Sequence, residues 1–197
     1  MSKLYFRYAA MNAGKSTNLL QVAYNYEERG RTIVIYTAAV DQRAGKGIVE
    51  SRLGVRRAAL PFSEETSFAE AFASRPACVL IDEAQFLSPG QVRELHRLAH
   101  EAHVPVICYG LRTDFRGAGF PGALELLAIA DTLEEMKTIC RCGKKASMNM
   151  RVDARGERVY EGEQVHVGGN EAYEAICPTR FYLGSCRPGE PARLGNT

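Results

Sequence analysis

A phosphate-binding loop close to the start of the chain constrains the fold more than any other segment. Ala9-Ala10-Met11-Asn12-Ala13-Gly14-Lys15-Ser16 follows the apolar run Leu4-Tyr5-Phe6-Arg7-Tyr8 and precedes a stretch rich in helix formers over 17–29. Strand, loop and helix therefore stand in the order such a loop requires. In that geometry peptide N–H groups of the loop and first helical turn point at a β-phosphate, and Gly14 lets the backbone approach without a Cβ. Lys15 reaches the β- and γ-phosphates, and the Ser16 hydroxyl suits Mg²⁺. The strict motif opens on glycine and this chain has Ala9, which serves only with a negative φ. The competing reading is an accidental Gly-Lys-Ser at a helix start, where small polar residues are common. A second segment weighs against it: Cys78-Val79-Leu80-Ile81-Asp82-Glu83 is an apolar strand ending in two carboxylates, the expected metal-facing partner of the loop.

The rest of the composition fits a globular enzyme. At 197 residues, 46% of them hydrophobic, the chain can bury a core of ordinary domain size. No apolar run approaches the roughly 20 residues of a membrane span, and the first residues lack a signal-peptide layout, so the expected location is the cytoplasm. A net charge of +2, from 25 basic and 23 acidic side chains, gives no whole-chain case for nucleic acid or membrane as partner. Of the six cysteines, Cys78 and Cys108 lie in apolar strand-like runs and read as core. Cys140, Cys142, Cys177 and Cys186 cluster in the last third, where a reducing compartment makes them metal ligands rather than disulfides.

Up to residue 131 strands and helices alternate. Strands are expected over 4–8, 32–36, 79–82 and 104–111, with a helix over 67–73 capped by a Ser67/Glu70 box. The clearest helix opens with Ser88 as N-cap, Pro89 at the first position and Gln91 at the box position, then carries Val92, Leu95, Leu98, Ala99 and Ala102 on one face. His96, His100 and His103 ride that helix and read as solvated, because one helix face without carboxylate or cysteine support makes a poor ligand set. Pro121 opens a further helix through 129. The segment 39–60, with Arg43, Lys46, Arg52, Arg56 and Arg57, is a long loop that is either solvated charge or a mobile phosphate-facing segment. From Asp131 the alternation stops, and 146–152, a turn at Ala154-Arg155-Gly156 and 158–167 predict an antiparallel hairpin carrying the cysteines. The expected organisation is a P-loop nucleotide-binding α/β domain over 1–135, a metal-stapled module over 136–183 and a tail without order over 184–197.

Chemistry at this level leaves the reaction open. Glu83, next to the metal-facing Asp82, can activate either water or a substrate hydroxyl. The chain is then a kinase of a small alcohol, or a single-domain RecA-like, nucleic-acid-dependent ATPase whose Asp-Glu-Ala-Gln is helicase-like. An ATP-binding regulatory protein is a third reading, in which Glu83 has no evident task.

The sequence resembles the thymidine kinases of the zinc-containing P-loop type, bacterial enzymes and the human cytosolic one among them. The resemblance runs from Leu4 to about Tyr182. It rests on Met11-Asn12-Ala13-Gly14-Lys15-Ser16-Thr17, Tyr24-Asn25-Tyr26-Glu27-Glu28-Arg29-Gly30, Asp82-Glu83-Ala84-Gln85-Phe86, the run from Tyr109 to Arg116, and Gly162-Glu163-Gln164 through Gly168-Gly169-Asn170. It implies a RecA-like parallel-sheet core with a small C-terminal zinc-binding hairpin module and a lasso loop. The implied reaction is transfer of the γ-phosphate of Mg²⁺·ATP to the 5′-hydroxyl of thymidine, and of deoxyuridine, in nucleotide salvage for DNA synthesis. Glu83 is then the general base, and Ser16 and Asp82 hold Mg²⁺. ATP lies along Ala9 to Ser16, Asp82 to Gln85 and Arg43. Met11, Phe86, Leu111, Phe115 and Phe120 surround the thymine ring, and the lasso segment with Val165, His166, Val167, Gly168, Gly169 and Tyr173 closes on it. The resemblance also implies a homotetramer inhibited by thymidine triphosphate, with no nucleic-acid partner.

The implied structural Zn²⁺ site departs from the family pattern. Its second ligand pair is a cysteine followed three residues later by Cys or His, and here Cys177 is followed by Arg180, a permanently protonated side chain that cannot ligate. Cys140, Cys142 and Cys177 supply three donors. The fourth is Cys186, His166 or a water molecule, or else the site is lost.

Overall fold

The computed structural model describes residues 3–164 and 172–186. The expected positions Val165, His166, Val167, Gly168 and Gly169, and the tail beyond Cys186, lie outside them. In chain order the elements are β1 (Leu4–Tyr8), α1 (Lys15–Glu27), β2 (Ile33–Ala38), β3 (Ile48–Glu50), β4 (Arg56–Ala58), β5 (Leu60–Phe62), α2 (Ala69–Ala73), β6 (Cys78–Ile81), a 3₁₀ turn (Ala84–Phe86), α3 (Pro89–Glu101), β7 (Val106–Gly110) and α4 (Pro121–Ile129). They continue with β8 (Thr132–Glu135), β9 (Thr138–Ile139), β10 (Lys145–Ala146), β11 (Met148–Val152), β12 (Arg158–Val159), β13 (Tyr173–Ile176) and α5 (Pro178–Leu183).

Six strands form one parallel sheet in the order β5-β2-β6-β7-β1-β8. β6 and β7 are buried along their whole length, as strands covered on both faces must be, which explains their unbroken apolar runs. Alternate residues serve opposite layers. Val79 and Ile81 pack with Val92, Leu95 and Ala99 of α3 and Leu126 of α4, whereas Cys78 and Leu80 pack with Leu19, Leu20 and Ala23 of α1. Each fully buried Leu or Ile here contributes about 1.5–3 kcal/mol relative to exposure. The strand of the phosphate loop, β1, and the strand ending at Asp82, β6, are separated by β7 alone, the RecA-like arrangement, so both strand ends open onto one cleft at the carboxyl edge of the sheet.

Local chemistry accounts for the start of α3 but not for that of α2. α3 carries the full capping box: the Gln91 amide donates to Ser88 Oγ at 3.2 Å and the Ser88 amide donates to Gln91 Oε1 at 3.0 Å, worth about 1 kcal/mol. The Ser67/Glu70 box does not form. α2 starts later, with Phe68 as N-cap, and the Ser67 hydroxyl donates to Glu94 Oε1 at 2.7 Å instead. The same Glu94 carboxylate on α3 also takes the Phe68 amide at 3.2 Å, which ties the start of α2 to α3.

Three other expectations are corrected. Segment 39–60 is not an irregular loop: β3 and β4 pair antiparallel, and β5 follows to extend the main sheet beside β2. The alternation does not stop at Asp131, since β8 lies parallel to β1 at the sheet edge. Its Glu134 accepts from Arg7 Nε at 2.6 Å, so an acidic Thr-Leu-Glu-Glu strand is held by a tertiary ion pair that its own pattern does not announce. In the C-terminal module β11 pairs with β12 as a hairpin and with β13 on its other side. That sheet does not carry the cysteines; the β9–β10 turn and the two ends of α5 do.

One contact tests how tightly α4 is seated under the cleft. A Cβ at Gly122 would lie 2.1 Å from the Leu87 carbonyl oxygen, whereas a Cβ at Gly90, in the first turn of α3, meets nothing closer than Ser88 Oγ at 3.8 Å. Gly122→Ala is expected to destabilise the protein by roughly 2–4 kcal/mol in urea unfolding. Gly90→Ala should be neutral or stabilising by up to about 1 kcal/mol. Equal effects of the two substitutions would show that the close approach has no energetic weight.

Candidate active site

The phosphate loop has the backbone its sequence demands. Asn12 and Gly14 sit in the left-handed region at φ 62° and 81°, while Ala9 is absent from the positive-φ residues, so alanine meets no steric objection in the first position of the motif. The Ala9 amide donates to the Gly110 carbonyl at 3.2 Å, fixing the loop to β7. α1 has Gly14 as N-cap, no side-chain cap and no acidic residue in its first turn. Its leading amides and positive dipole end are thus left for an anion.

Buried charge dominates the floor of the cleft. Asp82 is 4% exposed at the end of β6, and Ser16 Oγ donates to its Oδ2 at 3.1 Å. Burial, then the neighbouring charge of Glu83, pushes the Asp82 carboxyl up to about 7 against the opposing pull of Lys15 and Ser16. Its Oδ1 is buried without a hydrogen-bond partner among the described residues. A buried acceptor of this kind, beside a serine hydroxyl and a phosphate loop, fits a hard divalent cation such as Mg²⁺. Lys15 is itself buried, with Nζ donating to the Ala10 carbonyl at 3.2 Å, and desolvation lowers its pKa while Glu83 and Asp82 raise it.

Glu83 stands at the hinge of the site. Its backbone is left-handed, φ 53° and ψ 40°, at the entry to the 3₁₀ turn, a conformation costing about 1 kcal/mol or more for a non-glycine residue. Oε1 accepts from Arg43 Nη2 at 2.7 Å and Oε2 from Gln85 Nε2 at 2.5 Å. Gln85 is fixed in turn by the Leu111 amide, which donates to its Oε1 at 3.0 Å. Arg43 also donates to Asp41 at 2.7 Å, and these two carboxylates hold the guanidinium firmly protonated.

Two cavities meet at Glu83 and Arg43. One is polar and is lined by residues 11–17 of the phosphate loop and by Asp82. The other is mainly apolar, and Met11, Phe86, Leu111, Phe115, Phe120 and Tyr173 all line it, although they come from four separate stretches of chain. Ala9, Ala10 and Ala84 are buried behind the polar cavity rather than in its wall, and Gln85 faces the apolar one. Sequence reasoning passed over Asp114, Asn149 and Gln164, which line the apolar cavity. Asn149 accepts from the Met11 amide at 2.7 Å and donates to the Thr113 carbonyl at 3.0 Å. Asp114 anchors the turn to Ala118 by accepting the amides of Arg116 and Ala118. A polar residue in an apolar strand, such as Asn149, was the available signal.

The four cysteines converge away from this cleft. The sulfur atoms of Cys140, Cys142, Cys177 and Cys186 all lie within 4.8 Å of one another, with Cys142 and Cys177 at 3.8 Å. That spacing equals the edge of a tetrahedron with metal–sulfur bonds of about 2.3 Å, so the donor set fits zinc. Cys186 reaches the cluster because α5 is short and Gly184, at φ 72°, turns the chain back. Arg180 serves otherwise: its amide donates to Cys177 Sγ at 3.4 Å and its guanidinium to Glu174 at 2.9 Å.

Comparison with known proteins agrees with this geometry. The sequence model of the family described as thymidine kinase matches residues 2–181. The chain is 58% identical over 186 residues to a thymidine kinase of Albidiferax ferrireducens, covering 94% of each, and 52% identical over 182 residues to one of Chromobacterium violaceum, covering 92% of this chain and 99% of the other. A Rhizobium meliloti thymidine kinase is 53% identical over 184 residues, covering 90% and 94%. Among solved structures, a Pif1 helicase chain aligns at a TM-score of 0.39 and 15% identity over 71% of this chain and 40% of that one, too loosely to bear on fold or function. A phosphate loop facing a buried Asp-Glu pair beside an aromatic cavity, together with relatives matched over nearly their whole length, shows that this chain belongs to the thymidine kinase family.

Proposed function

We propose that the protein transfers the γ-phosphate of ATP to the 5′-hydroxyl of thymidine, and of deoxyuridine, yielding the monophosphates for deoxynucleotide salvage. The observation that carries this reading is the position of Glu83, at the junction of the phosphate-loop cavity and the aromatic cavity. A carboxylate there can take the proton of a hydroxyl presented from the apolar side as its oxygen attacks phosphorus presented from the polar side. The new O–P bond then forms as the bond to the β-phosphate oxygen breaks and ADP leaves. Lys15 and the amides of the α1 N-terminus hold the phosphates in line. Mg²⁺ at Ser16 and Asp82 would neutralise charge on the phosphates. Phe86, Phe115, Phe120 and Tyr173 offer flat surfaces for a pyrimidine ring, and Asn149, Asp114 and Gln164 offer polar groups for its edge. The nucleic-acid-dependent ATPase reading leaves this aromatic cavity without a task.

Zinc in the four-cysteine cluster, whose fourth member Cys186 lies just past 183, is proposed as a structural element of the C-terminal module, which supplies Asn149 and Tyr173 to the cleft. Closure by the segment reaching Tyr173, cytoplasmic location, a homotetramer and inhibition by thymidine triphosphate belong to the same reading.

Purified protein with Mg²⁺·ATP and a panel of deoxynucleosides, with products identified by mass, tests the assignment. Thymidine and deoxyuridine should gain a 5′-phosphate, with deoxycytidine and purine deoxynucleosides turned over poorly. DNA-stimulated ATP hydrolysis without a nucleotide product would overturn it. Glu83→Gln should lower kcat by about 10²–10⁴ while leaving thymidine binding in place; near-normal kcat would remove Glu83 as the base.

The raised Asp82 pKa has a signed consequence for the ligand-free protein. The carboxyl titrates near about 4 in the unfolded chain and at about 7 when folded, so the folded state holds the extra proton between those values. Stability conferred by that proton is complete below about pH 4 and is lost as the pH rises through about 7. Asp82→Asn should abolish this slope, giving roughly 1–3 kcal/mol more stability than wild type at pH 8 and little difference near pH 4, with kinase activity lost. Parallel stability profiles of the two proteins would contradict the buried-charge account.

Cys186→Ser should reduce bound zinc below the wild-type level and lower the Tm, because metal binding at such a cluster is coupled to folding. Full zinc retention would exclude Cys186 as a ligand.

A further inference from the structure

Away from the cleft and the cysteine cluster, His96 and His100 of α3 meet Asp131, the residue just before β8. The spacing of four places both imidazoles on one helix face, and their ring centroids are 4.8 Å apart at an interplanar angle of 65°. Both turn the same nitrogen toward one carboxylate. His100 Nε2 lies 3.0 Å from Asp131 Oδ2, and His96 Nε2 lies 3.7 Å from Asp131 Oδ1. One donor atom from each of the three residues falls within 4.8 Å of the other two. The expectation that this helix face lacks a supporting carboxylate is therefore corrected: the chain after α4 supplies one.

A single imidazole would satisfy an ion pair with this carboxylate. The second one, too far at 3.7 Å for a hydrogen bond, converges on the same point without making one. The carboxylate is also held from behind, since the Leu4 amide donates to Asp131 Oδ2 at 2.7 Å, the kind of outer support that orients ligands in metal sites. Donor separations of about 3.0–3.4 Å are those of adjacent ligands around an ion with bonds near 2.1 Å; the His100–Asp131 spacing of 3.0 Å meets that range and His96, at 3.7 Å, lies just beyond it. The side chains are partly exposed, at 33%, 40% and 24%, so an ion can enter from solvent and keep water on its open positions.

We propose that His96, His100 and Asp131 form a surface binding site for a borderline divalent transition-metal ion of the Zn²⁺, Co²⁺ or Ni²⁺ class. Two imidazoles and one carboxylate select such ions over Mg²⁺ and Ca²⁺, which require oxygen ligands. An ion there ties α3 to the start of β8 and, through the Leu4 amide, to the amino end of β1. It lies at the opposite end of the sheet from the phosphate loop, so its effect falls on stability and not on phosphoryl transfer.

The test uses the full chain and Ni²⁺ alone as probe, by equilibrium dialysis and thermal unfolding, with zinc content followed in parallel. Wild-type protein is expected to bind one Ni²⁺ more than the His96→Gln/His100→Gln double variant and to gain Tm on binding. His96→Gln by itself, which removes no hydrogen bond, should weaken that uptake by about tenfold or more, whereas His103→Gln should leave it unchanged. Thymidine kinase activity without nickel and zinc content should be the same in all of these proteins, which separates failure of the site from failure of the fold or of the proposed reaction. Nickel uptake that persists undiminished in the double variant, or no uptake by wild type at about 1 mM Ni²⁺, would overturn the proposal.

Discussion

Two adjacent carboxylates, Asp82 and Glu83, are buried at the end of β6, and the rest of the site is arranged around the cost of keeping them there. Paired charges at low dielectric repel strongly, and removal from water adds to the penalty. Each nearby polar group answers part of it. Lys15 supplies positive charge from the phosphate loop, Arg43 binds Glu83 directly, Ser16 donates to Asp82, and Gln85 donates to Glu83. Asp82 Oδ1 is what these groups leave uncompensated. A divalent cation would satisfy that atom, so the cost of burying this carboxylate and the metal-holding role proposed for it share one physical origin.

Sheet order determines that these groups face one another at all. β7 lies between β1 and β6, and Gly110 at its end permits close packing, because a Cβ there would come within 2.8 Å of Gln85 Oε1. The Ala9 amide bonds to the same glycine's carbonyl. The C-terminal module is joined to this edge by hydrogen bonds and not only by proximity. Asn149 accepts the Met11 amide, and Asn12 Nδ2 donates to the Tyr173 carbonyl at 3.2 Å. The phosphate loop and the wall of the aromatic cavity therefore share two polar links, each worth about 1 kcal/mol when buried, so order in the module is coupled to order in the loop.

The parts of the fold legible in the sequence were those fixed by local rules. The phosphate loop, the Ser88/Gln91 box, Pro121 as the first residue of α4 and the apolar runs of β1, β6 and β7 all state their structure within a few residues. β8 and β5 did not, because Thr-Leu-Glu-Glu and Leu-Pro-Phe are poor strand sequences whose placement comes from Arg7 and from pairing with β2. The Ser67/Glu70 box failed for the same reason: Glu94, 27 residues along the chain from Ser67, takes the Ser67 hydroxyl and the Phe68 amide and starts the helix one residue later. In the site, Asp82 and Glu83 could be read directly, whereas Asn149 acquires its meaning only when β11 is brought against the phosphate loop. Cys186 was half legible, since its type was evident but its reach depends on a short helix and the left-handed turn at Gly184.

The two partners of Glu83 differ in how firmly they are held, and this decides which can give way. Gln85 is buried, bonded to Leu111 and packed against Gly110; moving it would strand polar atoms in the floor of the cleft. Arg43 belongs to the segment after β2 and already has a second carboxylate partner in Asp41. In the role proposed for Glu83, one carboxylate oxygen must face a substrate hydroxyl, and Arg43 is the partner that can release it, keeping its charge balanced by Asp41 while its guanidinium turns toward incoming phosphates. Gln85 would then hold the other oxygen in place, so that one fixed donor and one exchangeable cation together give the base both orientation and access.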